Sequence, residues 1–271
     1  MMGGVDQFHL HDSPFSDKAV SVTPISFSCI EEAKYIFEYG VGLFRSHCAA
    51  QGSDHSMPAS GIDGRMADFS ILLSNFSHAL EDFKKSKGPS ITPKEQTAMD
   101  ILRLHVLSAK VALNFELLPP DKRSTECTGF LPEVREILDL GEKIIDSNSA
   151  SYILGGTATS FCLDMGYIIP IYTVASHWQD ATIRRRAIAI LRSLPRQEGI
   201  WNSILVAKAA ERIMELEGNA SGGFKAFMEC PNQTSTQPFL EIDARGGRLQ
   251  YTQGEKGSEK EIKVVEKIFT W

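Results

Sequence analysis

The chain has 271 residues, of which 42% are hydrophobic and 23% are charged, and its formal net charge at pH 7 is -6. This balance predicts a globular protein with one large domain or two smaller ones. The acidic net charge argues against the whole chain being a nucleic-acid-binding module, because such modules usually carry a basic face. No stretch reaches the ~18 consecutive apolar residues of a membrane span, so contact with a membrane is not expected.

The cysteines are scattered and form no C-x-x-C pair. They are Cys29, Cys48, Cys127, Cys162 and Cys230. We expect free or buried thiols in a reducing compartment, and no zinc site follows from this spacing. The N-terminus lacks a basic segment followed by an apolar run, so no secretory signal is predicted.

Residues 1–27 are predicted to form a flexible arm, because Gly, Ser, Asp and His outnumber the apolar residues there. His9 and His11 have no cysteine or carboxylate set beside them, so we interpret them as part of this arm and not as a metal site. Helical periodicity begins after the arm, and Ser28 with Glu31 predicts a capping box.

Apolar residues at helical spacing predict three further helices, at 65–85, from Thr92 to the residues before Pro119, and at 130–147. Thr92 is expected to cap the second of these, with Pro93 at its first position. His105 lies near the apolar face of that helix, where a hydrogen-bonded histidine is favoured over a ligand or a base.

The glycine-rich segment 154–161 lacks the lysine of a phosphate-binding loop. Phe161, Ile168 and Ile169 instead indicate a packed helix that ends or kinks at Pro170. Asp180 is then expected to cap a helix, and Pro195 is expected to end it. Glu198-Gly199 is predicted to turn the chain into a second helix that ends at Gly218. So short a link predicts antiparallel or steeply crossed neighbours.

Segment 167–218 resembles the C-terminal half of the regulatory region of fungal zinc binuclear cluster transcription factors. The resemblance lies in a proline-containing apolar segment, an "R-R-x-A-I-x-L-L" run, a "P-R-x-E-G-x-W" turn and an "A-x-x-A-x-x-I-M-x-x-E" helix. The matching residues are Pro170, Tyr172, Arg184, Arg185, Ala187, Ile188, Leu191, Pro195, Arg196, Glu198, Gly199, Trp201, Ala207, Ile213, Met214 and Glu217. Trp178 stands where the family often has a cysteine.

The helical periodicity and this resemblance together imply a mostly all-α fold of stacked antiparallel helix pairs. Residues 28–218 would form a helical regulatory domain. Residues 219–237 would form a loop, and 238–271 a small C-terminal β-hairpin packed on the helical domain, with a third candidate strand near its end. The motif residues are expected to have a structural role. They are Pro170, Arg184, Arg185, Pro195, Glu198, Gly199 and Trp201.

No catalytic, cofactor-binding or metal-ligating constellation is predicted, because no G-x-S-x-G, H-E-x-x-H or dinucleotide-binding pattern occurs. His177 is interpreted as a residue that packs at a helix end. The three cations Arg184–Arg186 oppose the dipole of a helix start, so they should have carboxylate partners nearby. Glu198 is the predicted partner of Arg184 or Arg185.

The resemblance implies the regulatory region of a fungal transcription regulator, located in the nucleus, or in the cytoplasm if a nuclear targeting segment is missing. It would contact a protein partner or a small-molecule effector, with a homodimer also open, and would not bind nucleic acid itself. The family's N-terminal zinc cluster is absent, so no cofactor is expected unless such a cluster precedes this chain. That leaves a fragment, a truncated product or a relative without the cluster. The alternatives are a stand-alone helical interaction scaffold and, third, an uncharacterised enzyme.

Overall fold

The computed structural model describes residues 24–51, 60–118, 122, 127–152, 160–162, 166–219, 239–243, 246–253 and 263–270. The chain divides into two compact units, Met1–Glu95 and Gln96–Trp271. This boundary falls inside the helical domain predicted for 28–218, and the domain division from sequence stays a prediction. The predictions for 1–23, with His9 and His11, and for the loop at 220–237 lie outside the described residues.

The first unit contains a pair of contacting helices with an aromatic interior. Helix α1 spans Ile30–Gln51 and helix α2 spans Ser60–Lys87. Phe37 and Phe76 are buried with ring centroids 5.3 Å apart, and the ring of Phe27 lies 5.3 Å from that of Phe83. Rings spaced in this way at tilted angles gain favourable aromatic contact in addition to their burial.

Two helix caps were predicted in this unit, at Ser28 and at Thr92, and one of them needs correction. Both the N–H and the hydroxyl of Ser28 donate to Glu32, at 2.8 and 3.0 Å, whereas Glu31 was predicted. Since α1 begins at Ile30, Glu32 occupies its third position, from which a side chain reaches back past the helix start. The predicted cap at Thr92 is confirmed, because its hydroxyl accepts from the N–H of Glu95 at 3.2 Å. The Glu95 carboxylate accepts in return from the N–H of Thr92 at 2.9 Å, which completes a capping box that was not predicted.

The second unit is a group of helices around an aliphatic core. Helix α3 spans Pro93–Leu117; its first residues belong to the first unit and the remainder to the second. The remaining elements in order are α4 Leu131–Tyr152, β1 Ser160–Cys162, α5 Ile168–His177, α6 Ala181–Ser193, β2 Arg196–Glu198, β3 Trp201–Asn202 and α7 Ser203–Asn219. Helix α5 contacts α4, α6 and α7. The mostly helical fold predicted from sequence is confirmed.

A three-stranded sheet lies among these helices and was not predicted. Strand β1 pairs in parallel with β2, and β2 pairs antiparallel with β3. Phe161 therefore lies in a strand, and the predicted helix from there to Pro170 is wrong. Helix α5 begins at Ile168 and places Pro170 in its first turn, where the missing N–H has no partner within the helix to lose.

The C-terminal part forms an antiparallel sheet of three strands. They are β4 Phe239–Asp243, β5 Gly246–Gln253 and β6 Lys263–Thr270. Strands β4 and β5 form the predicted hairpin, but Gly246 and Gly247 lie within β5 and pair with Asp243 and Ile242. The third candidate strand pairs with β5 along its whole length, which satisfies backbone groups that a two-stranded hairpin would leave open.

Among the described helices, none combines the length and the apolar character that crossing a membrane requires.

Candidate functional site

Helix α5 lies at the centre of the second unit and is buried on most of its surface. The buried residues are Ile168, Pro170, Ile171, Val174, Ala175 and Ser176. A helix leaves its first N–H groups and last C=O groups without partners inside the helix. Because both ends of α5 are enclosed, other parts of the protein have to supply those partners.

A carboxylate supplies them at the N-terminus of α5. Glu198 comes from strand β2, is 6% exposed, and accepts hydrogen bonds from the N–H groups of Tyr167 and Ile168 at 3.1 and 3.0 Å. A negative charge at this position complements the helix dipole. Burial nevertheless raises the pKa of Glu198, although the two N–H donors and Arg196 act in the opposite direction. The carboxylate thus serves as a cap for a helix that begins 30 residues earlier in the chain.

Gly166 makes room for this carboxylate. A Cβ atom at Gly166 would overlap the Glu198 carboxylate oxygens, far inside any permitted contact distance. The carbonyl oxygen of Gly166 also lies 2.7 Å from Nε2 of His105. The interpretation of His105 as a hydrogen-bonded histidine at the edge of the core is therefore confirmed. Gly166 itself gave no signal in the sequence, because no local turn pattern marks it.

Glu198 forms its ion pair with Arg196, and the predicted partners Arg184 and Arg185 are wrong. Nε of Arg196 lies 2.9 Å from Oε1 of Glu198. The N–H of that atom is not aimed at the oxygen, so the contact is an ion pair rather than a directional hydrogen bond. The two residues stand two positions apart in strand β2, so their side chains leave the strand on the same face. The guanidinium carbon of Arg196 is also 5.9 Å from the centre of the Tyr167 ring.

A cation supplies the partners at the other end of α5. Arg184 in α6 is 4% exposed and donates to the carbonyl oxygens of Ala175 and Ser176, at 2.8 and 3.3 Å. A positive charge here complements the negative end of the helix dipole. Burial lowers the pKa of the adjacent His177, and the charge of Arg184 lowers it further. His177 is at the helix end, as predicted, with Nδ1 2.7 Å from the hydroxyl of Ser176.

The turn between α6 and α7 is held by a serine hydroxyl, a glycine in a left-handed conformation and a contact between two aromatic rings. The hydroxyl of Ser203 accepts from the N–H of Arg196 at 3.0 Å. Gly199 has φ +57, a left-handed conformation that glycine adopts without strain. The Trp201 ring lies 6.2 Å from that of Tyr172 on α5. Sequence reasoning missed Ser203, whose role depends on the backbone of another segment.

The seven motif residues thus occupy three places. Arg184 and Glu198 lie at opposite ends of α5, and Pro170 lies in its first turn. Pro195 follows the end of α6, as predicted, and Gly199 and Trp201 form the following corner. Arg185 is separate, on the exposed outer face of α6. That these seven residues belong to a motif of the fungal family stays a prediction.

Arg185 lines a groove between α6 and α7, which we call the α6–α7 groove. Its volume is about 920 Å³, and it is open to solvent. It is lined by Arg185, Ile188, Ala189, Arg192, Ser193, Glu211, Met214 and Glu215. Ile188 and Met214 pack against the core and give the groove an apolar floor, while charged side chains stand along both edges.

The described residues contain no cluster of three or more His, Cys, Asp or Glu side chains arranged to hold a metal ion. Ser176 and His177 are close enough to suggest a nucleophile and base. However, the Ser176 hydroxyl also donates to the carbonyl oxygen of Tyr172 at 2.7 Å, and Ser176 is 2% exposed. The Ser176 hydroxyl is thus buried and bonded within the end of α5, which is not the exposed position that a nucleophile needs.

Comparisons with known proteins show a distant similarity to a fungal regulator. The chain is 27% identical over 115 residues to the Aspercryptin biosynthesis cluster-specific transcription regulator atnN of Emericella nidulans. The match covers 41% of this chain and 18% of that regulator, so the chain spans a small part of its relative. No protein-family model matches the chain, and no solved structure does. The chain is thus distantly similar to a fungal transcription regulator, which supports a regulatory role in general.

Proposed function

We propose that this chain is the regulatory region of a fungal transcription regulator, and that it modulates transcription through a contact with a protein partner or a small effector. The observation that carries the proposal is the 115-residue similarity to a cluster-specific transcription regulator. The mostly helical fold and the α6–α7 groove are compatible with a role in binding. The role is not enzymatic, and its site of action is the nucleus.

Burial distinguishes the residues that hold the helices together from the residues that a binding partner could reach. The charged residues Arg184 and Glu198 are buried and bonded to the ends of α5, so they maintain the helix arrangement and are not exposed to a ligand. Arg185, which follows Arg184 in the sequence, is exposed to solvent and lines the α6–α7 groove. Under this proposal, substitution of the buried residues affects folding, and substitution of the groove residues affects regulation.

A tethering experiment tests the proposal. The chain is fused to an unrelated DNA-binding domain, and transcription from a reporter carrying the cognate DNA sites is compared with that of the DNA-binding domain alone. We expect transcription to change. Unchanged transcription in a fungal host, with the fusion shown to be present in the nucleus, would contradict the proposal.

A second measurement addresses direct DNA contact. The acidic net charge of -6 predicts that the purified chain does not bind duplex DNA tightly at physiological salt. Sequence-selective retention of DNA by the untethered chain would contradict this. If the chain binds proteins from the host but leaves transcription unchanged, the alternative of an interaction scaffold is favoured.

A further inference from the structure

Helix α6 carries four arginines, and Arg185 differs from the other three in its partners. Arg184 is bonded to the end of α5. Arg186 bonds to Asp139 and Glu142 on α4, at 2.6 and 2.7 Å. Arg192 pairs with Glu211 across the α6–α7 groove. In contrast, the described part of the chain provides no carboxylate within ion-pair distance of Arg185.

The acidic edge of the groove has its own partners. Glu211 is neutralised by Arg192, and Glu215 accepts from Arg212 at 2.7 Å. Of the charged groups that line the α6–α7 groove, Arg185 is therefore the one left without a counter-charge among the described residues. An occupant that brings a negative charge to this position gains an ion pair without breaking an existing one.

The shape of the groove favours a helix as its occupant. The lining positions of α6 run from Arg185 to Ser193, which corresponds to about 12 Å along the helix axis, or about two helical turns. The floor formed by Ile188 and Met214 matches the apolar stripe of an amphipathic helix, which is a common mode of peptide recognition. An open groove encloses a small molecule poorly, since ligand pockets bury most of the surface of the ligand.

We propose that the α6–α7 groove binds an amphipathic helical segment of a partner protein, with its apolar stripe on Ile188 and Met214 and an acidic side chain against Arg185. This inference rests on the proposed function and specifies the chemistry of the partner. Nucleic acid is disfavoured as an occupant, because Glu211 and Glu215 would face its phosphates.

The test uses two synthetic peptides and the full chain. One is a fluorescein-labelled peptide of about four helical turns with leucine at helical spacing and glutamate along one flank. The other is identical except that lysine replaces each glutamate. Fluorescence anisotropy should show tighter binding of the glutamate peptide, with an affinity that falls as salt is added. Equal binding of the two peptides, or no binding of the glutamate peptide at millimolar concentration, would overturn the proposal.

Three variants locate the binding. Arg185→Glu should weaken binding of the glutamate peptide by about tenfold, because a favourable charge pair becomes a repulsive one. Lys84→Glu is the matched control: it changes the net charge equally at an exposed position of α2 and should stay within about twofold. Ala189→Trp, at an exposed position inside the groove, should block binding by filling it. Unchanged affinity in both groove variants would refute the proposed location.

The same variants separate this inference from the proposed function. If the tethered wild type alters transcription and Arg185→Glu does not reduce the effect, the groove assignment fails while the proposed function stands. If the peptide binds as expected but the tethered chain is silent, the proposed function fails and the groove assignment stands. Sedimentation provides a last check: a homodimer that Arg185→Glu dissociates would identify a second copy of the chain as the occupant and overturn the partner proposal.

Discussion

The two units of this protein differ in what their interiors contain. The first unit packs aromatic rings, such as Phe37, Phe76 and Phe83, and none of its described residues places a buried polar side chain among them. The second unit has a largely aliphatic core and encloses Arg184 and Glu198, which are 4% and 6% exposed. One interior is therefore held by non-directional contacts, and the other also contains charge-assisted hydrogen bonds that depend on geometry.

This difference indicates how each unit responds to change. Aromatic contacts add about 0.5–1.5 kcal/mol per pair beyond burial and accept a range of ring angles. A buried charge has to meet its partners closely, because losing one of them leaves an uncompensated charge. We therefore expect the second unit to be the more sensitive to small substitutions. Four predictions follow this contrast.

The largest effect is expected for Glu198→Ala. It leaves the N–H groups of Tyr167 and Ile168 without their acceptor, and it removes the carboxylate that pairs with Arg196, whose side chain is 13% exposed. Breaking a buried pair in this way costs about 3–5 kcal/mol in the free energy of unfolding. Urea unfolding followed by circular dichroism measures it. Glu198→Gln, which keeps one oxygen acceptor, should lose less, and equal losses for the two variants would contradict the capping role.

Gly166→Ala comes next, with an expected loss of about 1–3 kcal/mol from overpacking. The added Cβ would occupy the space of the Glu198 carboxylate. The same substitution in the Glu198→Ala background should therefore cost much less. A double-mutant cycle measures this coupling, and purely additive losses would show that the two residues do not compete for one space.

Phe76→Leu tests the first unit. Phe76 is fully buried, with its ring centre 5.7 Å from that of Phe27. Because the neighbouring rings adjust without losing a directional bond, we expect a loss of about 1–2 kcal/mol, less than that for Glu198→Ala. Thermal unfolding measures it. A loss as large as that of Glu198→Ala would remove the contrast between the two interiors.

The smallest effect is a pH dependence from His177. Burial holds its pKa below the ordinary value of 6.5, with Arg184 adding to the effect. Below pH 6.5 the unfolded chain therefore takes up a proton that the folded chain does not, and stability falls as the pH is lowered. His177→Asn should reduce this slope between pH 6.5 and 5, which unfolding temperatures measured across that interval will show. An identical slope in the variant would exclude His177 as its source.

The helices that were predicted well are those whose ends carry local signals. Asp180 accepts from the N–H groups of Thr182 and Ile183 at 2.7 and 3.1 Å, as its place before an apolar stripe predicted. Pro195 lies just beyond the end of α6, as expected. Asp180 and Pro195 act on neighbours within four positions, so the local sequence is sufficient to predict where the helix begins and ends.

The predictions that failed required knowledge of distant segments. Strand β1 consists of three residues and pairs with β2, which is distant in the sequence: Ser160 pairs with Arg196, 36 positions later. The partner of Glu198 was misassigned because charge spacing shows which groups need a partner, but not which one reaches them. Gly166 had no local signal, since its requirement comes from the Glu198 side chain.

The amino-acid sequence by itself determined the helical character of this protein, the order of its helices and many of their ends, because helical periodicity and caps act over one or two turns. Only the tertiary structure decided that a carboxylate and a guanidinium close the two ends of α5, and that Arg185 faces a groove while Arg184 is buried. Arg184 and Arg185 differ in burial because successive residues of a helix point about 100° apart. The packing of α6 against α5 decides which of the two is enclosed.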